Sequence, residues 1–315
     1  MKDKLYPIAV AVADLHLSLL QPACRADKSW TDVQAGYLEQ LKEIAEIRMT
    51  DGSLRTLPIL CAGDIFDRWN ASPELINFAL HWLPDGMLCV PGQHDLPLHR
   101  SDLMHRSGYG VLKKVGKIRD LSEDVVTIAA ERLMVYGYGW EQEIEPLESK
   151  SRDRFLYVAL IHRYVWTVEA GYPGAPQSSH LSSLMKPLKG YDVAIIGDNH
   201  KPFLKELKNG CTAYGCGTFI RRKTDEIDYA PSVGIIYSDG TVKRKRLDTS
   251  GDLFHLSAIA RPETAFNMKE FIEGLEELGE HGLDFKAAVE NHLKNEDVHP
   301  QVKEIILAAL DNTRV

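Results

Sequence analysis

The chain has little of what would mark an exported or membrane protein at its start. Its first apolar run, within LYPIAVAVAD, is only about seven residues long before Asp14 and His16 break it, too short to span a bilayer and without a small-residue cleavage site. A cytoplasmic location with no membrane association is the expectation. Cysteine is scarce and odd in number, at five (Cys24, Cys61, Cys89, Cys211 and Cys216), and none forms a CxxC pair. That count argues against both a disulfide framework and a thiolate zinc site. Cys61 and Cys89 sit in apolar runs and read as core packing. Positive charge is in deficit: 37 Lys and Arg against 45 Asp and Glu leave a net charge of -8. Nucleic acid is therefore not held by a global basic field. Two short basic clusters remain, Arg221 to Lys223 and Lys243 to Arg246, and both read as solvated strand ends. Internal repeats and low-complexity segments are also lacking.

What the chain does have is enough apolar residue, 44% of 315, to bury one large core and a small appendage. A short apolar run followed by a polar turn recurs along it. YPIAVAVAD, LPILCAGD, GMLCVPGQH, FLYVALIH and YDVAIIGDNH are rich in Val and Ile, as strands buried on both faces should be. Between the first two, residues 31 to 49 carry Val33, Tyr37, Leu38, Leu41, Ile44 and Ala45 at helical spacing, with Thr31 or Asp32 as N-cap. Residues 72 to 82 form a second helix, capped by Ser72 and opened by Pro73. Strand alternating with helix means an α/β core. DVVTIAA, RLMVYGYG, FLKEL, CTAYGCG, PSVGIIYSDG and TVKRKRL are shorter strands that add antiparallel pairs. Beyond residue 250 only helical patterns remain, with caps at Asn267 and Asp284 and Pro300 opening the last. The expected division is a domain over 1–250 and a helical appendage over 251–315, suited to packing or a homodimer interface.

Ligands of open α/β sheets bind beyond the carboxyl ends of the strands. Five such ends here carry Asp14 and His16, Asp64 and Asp67, Gln93 to Asp95, His162, and Asp198 with His200. A lone Asp-x-His or a lone His is weak evidence of anything. Five strand ends in one chain, each offering carboxylate, amide oxygen or imidazole, point to a metal site.

The ordered series Asp14-Leu15-His16, Gly63-Asp64-Ile65-Phe66-Asp67, Gly92-Gln93-His94-Asp95, His162 and Gly197-Asp198-Asn199-His200 resembles the DxH, GDxxD, GNHD, H and GHxH motifs of calcineurin-like metallophosphoesterases. The resemblance covers residues 6 to 250. Within it, GDIFD and the stretch GCGTFIRRKTDEIDYAPSVGIIYSDG are most similar to the SbcD-like DNA-repair exonucleases. The phosphoprotein phosphatases, with GDxxDRG, have glycine where this chain has Trp69.

The resemblance implies a four-layer α/β/β/α sandwich of two mixed sheets with two metals at the strand ends. Asp14, His16 and His200 would hold one metal and Gln93, His162 and Asp198 the other, with Asp64 bridging them. Cations about 3.5 to 4 Å apart generate hydroxide at neutral pH and neutralise charge on phosphorus. His94 would stand beside the phosphate, and Asp67 would accept its hydrogen bond and set its tautomer. No substrate-binding residue is assigned.

Two residues depart from the pattern. Gln93 replaces Asn, keeping an amide oxygen one methylene further out, and Asp198 replaces the first His of GHxH. With Asp14, Asp64 and Asp198 the site carries three formal negatives against two dications. Oxygen donors favour Mn(II), with Mg(II), Fe or Zn(II) as alternatives.

The functional expectation is a two-metal phosphodiesterase acting on DNA, with an SbcC-like coiled-coil ATPase as partner. A metallophosphatase or phosphodiesterase of small molecules or phosphoproteins is the second reading, and it suits the acidic charge. A catalytically silent scaffold is the third, and the presence of Asp64 and His94 speaks against it.

Overall fold

A computed structural model describes residues 5–48, 52–122, 124–148, 155–171 and 175–255. The chain divides into two units, Met1–Ala260 and Arg261–Val315. The second lies outside the described residues, as do the helices expected after residue 256.

In chain order the elements are β1 (Pro7–Val12), α1 (Trp30–Ala45), β2 (Glu46–Arg48), β3 (Leu54–Thr56), β4 (Ile59–Cys61), α2 (Pro73–Trp82), β5 (Met87–Cys89), α3 (Gly108–Lys114) and β6 (Ile118–Asp120). There follow β7 (Val125–Ile128), β8 (Leu133–Tyr138), β9 (Leu156–His162), β10 (Val193–Gly197), β11 (Phe203–Glu206), β12 (Thr212–Gly215), β13 (Ser232–Tyr237) and β14 (Val242–Arg246). Every apolar run read as a strand forms one. The β2–β3 hairpin, β6 and α3 were not anticipated. They are short and mostly polar outside a few buried residues, so periodicity carries little signal there.

Helix α2 starts as expected, with the Ser72 hydroxyl accepting from Leu75 N at 3.2 Å and Pro73 in its first turn. Helix α1 does not. Its N-cap is Ser29, which accepts from Asp32 N, so the expected caps Thr31 and Asp32 lie inside the first turn. The helix also ends at Ala45 rather than running on to residue 49, because Glu46–Arg48 pairs with Leu54–Thr56 as a hairpin.

The strands form two six-stranded sheets, ordered β14-β13-β1-β4-β5-β6 and β11-β12-β10-β9-β8-β7. Both are mixed. β1, β4, β5 and β6 run parallel, as do β8, β9, β10 and β12, while β7, β11, β13 and β14 pair antiparallel.

The period-two alternation of side chains explains the layering. Along β1, Val10 and Val12 face Leu38, Leu41, Ala79 and Leu112 of the helices, whereas Ala9 and Ala11 join the core between the sheets. Along β9, Val158 and Leu160 enter that same inter-sheet core. Tyr157, Ala159 and Ile161 face outward, onto Leu181, Leu184 and Leu188. Truncating a residue such as Leu160 to Ala would cost about 2–5 kcal/mol.

The architecture is the expected four-layer sandwich with one difference. Among the described residues the layer over the second sheet consists of 3-10 turns (Gln177–Ser179 and Leu181–Met185) and loops, not α-helices. All five cysteines are buried, and Cys61 and Cys89 are core residues on adjacent strands. No described helix is long and apolar enough to cross a membrane.

Candidate metal centre

Parallel pairing sets the carboxyl ends of β1, β4 and β5 side by side, with Val12 opposite Cys61 and Cys61 opposite Cys89. In the other sheet Gly197 lies opposite His162. The turns leaving these ends are tied to one another. Asp14 N donates to Gly63 O at 3.0 Å, His16 N to Asp64 O at 3.0 Å and Leu17 N to Ile65 O at 2.8 Å. Phe219 N donates to Asp14 O, bringing the chain after β12 onto the same point.

The turns adopt backbone conformations that side chains seldom take. Asp14, His16, Asp64 and Asp198 have φ of 55°, 45°, 53° and 83°. Each such residue stores about 1–3 kcal/mol of strain, which persists only where surrounding contacts over-determine it. Two glycines allow the close approach. A Cβ on Gly63, whose φ is 95°, would lie 2.2 Å from His162 Nδ1, and one on Gly92 would lie 2.0 Å from Asp64 Oδ1.

The seven candidate ligands converge. Donor atoms of Asp14, His16 and His200 all lie within 4.8 Å of one another, as do those of Asp14, Asp64 and His162. His16 Nε2 and His200 Nε2 face each other at 3.2 Å. Gln93 Oε1 lies 2.6 Å from His162 Nε2, and Gln93 Nε2 donates to Asp198 Oδ1 at 2.8 Å. Asp64 stands between the two sets, with Oδ2 at 3.9 Å from His16 Nε2 and 3.5 Å from His162 Nε2. Asp14 belongs to both groups, so the carboxylate shared between sets is not Asp64 alone.

The residues fit divalent cations. Among the described residues Asp64 Oδ2 is buried with no close hydrogen bond, only His162 Nε2 at 3.5 Å and His16 Nε2 at 3.9 Å, a costly state for a carboxylate oxygen unless a cation faces it. Burial pushes the Asp14 carboxyl up to about 7, against the pull of His162 and His200. Burial also acts to raise Asp64, but His162, with His16 and His94, holds it well below the ordinary range. Burial opposes a charge on His162, yet Asp64, Asp14 and Asp198 carry it up to about 10. Burial keeps His16 neutral, well below its usual value. The concentrated negative field that charges His162 is the field two dications would neutralise.

Partners around the ligands set their orientation. His162 Nδ1 donates to Ala62 O at 2.5 Å, which leaves Nε2 as the nitrogen that could face a cation. The Asp95 carboxylate accepts from Ile65, Phe66 and Gly92 main-chain N–H groups, stitching the turn after β4 to that after β5. Buried Asn199 donates to Val165 O and Ala170 O and so anchors the turn after β10.

His94 is exposed at the mouth of the site, its ring edge-on to His16 with centroids 4.9 Å apart. Its Nδ1 donates at 2.7 Å to the main-chain carbonyl of Asp67, not to the carboxylate expected from sequence. The carboxylate is engaged elsewhere, in an ion pair with Arg222. That pairing corrects the reading of Arg221 to Lys223 as a solvated strand end. Arg221 is tied to Asp252, Ile227 O and Thr249 O, and Arg222 N and Lys223 N both donate to Glu226. Glu226 in turn faces His200 Nδ1 at 3.5 Å. Sequence reasoning missed Arg222 and Glu226. Their only signal was position, within the segment that follows the last ligand motif.

Two clefts meet at Gln93 and His94. One, of about 420 Å³, is lined by Tyr164, Asp198, His200, Lys201, Lys223 and Tyr229 among others. The other, of about 360 Å³, is lined by Asp67, Arg68, Trp69, Asn70, Leu98 and His99 among others.

The sequence family of calcineurin-like phosphoesterases matches the chain over residues 9–202. No curated protein matches it. Among solved structures it is similar to a 5′-nucleotidase precursor from Thermus thermophilus, at 13% identity and a TM-score of 0.43, covering 85% of this chain and 58% of that one. It is also similar to a dimetal phosphatase from Danio rerio (9% identity, TM-score 0.45, 79% of this chain and 99% of that one). A third is the calcineurin-like phosphoesterase YfkN from Bacillus subtilis (13% identity, TM-score 0.41, 77% and 89%).

Proposed function

The chain belongs to the calcineurin-like phosphoesterase family, and from that premise we propose that this metal-dependent phosphoester hydrolase cleaves phosphodiesters, with a DNA strand as substrate. The observation that carries the diester is the pair of clefts meeting at His94. A diester has two substituents leaving its phosphorus, and each cleft accommodates one. A phosphomonoester would fill only one of them.

Asp14, His16 and His200 would hold one cation, and Gln93, His162 and Asp198 the other, with Asp64 between. Two such cations, when bound, would supply a nucleophilic hydroxide at neutral pH and neutralise charge on the phosphoryl group. His94 then acts at the leaving oxygen. Its Nδ1 hydrogen is committed to Asp67 O, so it is from the imidazolium form, through Nε2, that the ring delivers a proton to the leaving oxygen as the phosphorus–oxygen bond breaks, returning to the neutral Nδ1–H tautomer. Arg222 holds the Asp67 carboxylate clear of this step, and Lys201 and Lys223 line the first cleft beside Asp225 and Glu226, each an ammonium that can meet a neighbouring phosphate.

Support for DNA comes from the resemblance of GDIFD and residues 215–240 to SbcD-like nucleases, and from the engagement of that second stretch with the site through Arg222 and Glu226. The same resemblance motivates an SbcC-like ATPase partner and Mn(II) as the metal. The test is turnover with Mn(II) of end-labelled linear DNA, bis-p-nitrophenyl phosphate and p-nitrophenyl phosphate. Cleavage of the first two with little of the third is expected. Preference for the monoester would overturn the diester reading, and bis-p-nitrophenyl phosphate turnover without DNA cleavage would return the substrate to small molecules.

A further inference from the structure

The second cleft has features that ligation and proton transfer do not explain. Leu98 and His99 are consecutive non-glycine residues in the left-handed region, with φ of 53° and 60°. This strain keeps a large apolar side chain in solvent, for Leu98 is 76% exposed. Two successive strained residues oppose folding, so a fold that keeps them at a cleft wall is constrained there by something other than stability. The segment is held in place locally, since His99 N donates to Leu96 O and Arg100 N to Pro97 O.

In the lining of the same cleft, Trp69 is half-buried and its main chain is anchored by Gly108 N at 2.9 Å. Its indole N–H has no partner among the described residues. Neither do the side chains of its neighbours Arg68 and Asn70, although nearby Arg100 is paired with Asp102 at 2.7 Å. The His99 ring meets Trp140 edge-on at 6.2 Å, and Trp140 reaches the His162 ring at 6.3 Å, so the aromatic wall continues to the metal centre.

A flat aromatic face, an opposing aliphatic side chain, and an unengaged amide and guanidinium match one class of ligand. A nucleobase presents two π-faces and a hydrogen-bonding edge, and aromatic stacking holds any base regardless of its identity. We propose that the cleft formed by residues 68–70 and 96–99 is a nucleoside subsite. It seats the base of one arm of the phosphodiester on Trp69 beneath Leu98, with Asn70 at the base edge. This deepens the diester reading and rests on it for the orientation of the substrate, but not for the binding itself.

The test compares dithymidine monophosphate with its analogue carrying one abasic sugar, and separately measures thymidine 5′-monophosphate binding by calorimetry. The parent protein should prefer the intact dinucleotide by about tenfold or more in kcat/KM. Trp69→Ala should collapse that ratio toward one and raise the Kd for thymidine 5′-monophosphate by about tenfold or more. Leu98→Ala, an exposed position that a folding defect cannot confound, should move both in the same direction. A base preference or nucleotide affinity untouched by both variants overturns the subsite. If the parent turns over neither dinucleotide, the diester reading fails, and calorimetry alone decides the subsite.

Discussion

Gln93 Nε2 donates to Asp198 Oδ1 at 2.8 Å. The two residues at which this chain leaves its family's motifs are therefore in contact with each other. The extra methylene of glutamine lets the amide reach Asp198 while its oxygen stays 2.6 Å from His162 Nε2. Contacting residues couple by about 0.5–3 kcal/mol. Gln93→Asn and Asp198→His should each weaken Mn(II) binding, and the double variant should recover most of the loss. Calorimetric titration of the four proteins checks this, and additive losses would show the two departures to be independent.

Asp198 also bears on metal choice. A carboxylate in place of imidazole suits harder ions, so the parent should favour Mn(II) over Zn(II), and Asp198→His should strengthen Zn(II) competition without altering the fold. Asp198→Ala should lower metal content toward one per chain. Metal analysis beside activity with Mn(II), Mg(II) and Zn(II) in turn decides it; full occupancy in the alanine variant would remove Asp198 from the ligand set.

Asp64 lies between the two donor sets with Oδ2 buried and without a close hydrogen bond among the described residues. Asp64→Asn should lose both metals and activity, since an amide cannot match the charge a carboxylate offers two cations. Retention of one tightly bound metal with residual turnover would count against the bridge.

His94 and Asp67 should separate. His94→Ala is expected to lower turnover by about a hundredfold or more with metal content unchanged. Asp67→Asn should cost less, within about tenfold, because the main-chain carbonyl that orients His94 survives the substitution. Steady-state kinetics with metal analysis measures both, and an equal loss in the two variants would mean that the Asp67 carboxylate does act on His94.

Arg25 gives a stability prediction away from the chemistry. Its side chain is fully buried, paired with Asp27 at 2.7 Å and Asp252 at 2.9 Å and stacked over Phe254 at 4.7 Å. Arg25→Ala leaves the buried Asp27 carboxylate without its cation and Asp252 with Arg221 and Tyr37 alone, and should destabilise the protein by about 3–5 kcal/mol in urea unfolding. A change below about 1 kcal/mol would mean that water replaces the guanidinium there.

The strands other than β2, β3 and β6, helices α1 and α2 and the candidate ligands were legible in the sequence, because each is a local matter. Val and Ile runs mark strands buried on both faces, Ser72-Pro73 marks a helix start, and a polar residue at a strand end announces itself. Where α1 begins was not legible, since Ser29, Thr31 and Asp32 are all competent caps and only the folded backbone chose Ser29. Tertiary structure alone decided which groups meet. It set the Asp67 carbonyl rather than its carboxylate on His94 and gave that carboxylate to Arg222, 155 positions away. It also brought Gln93 onto Asp198 across 105 positions and set Trp69 and Leu98 in the lining of one cleft. Contacts at such separations depend on how two sheets close on a common core, and no spacing in the sequence encodes that closure.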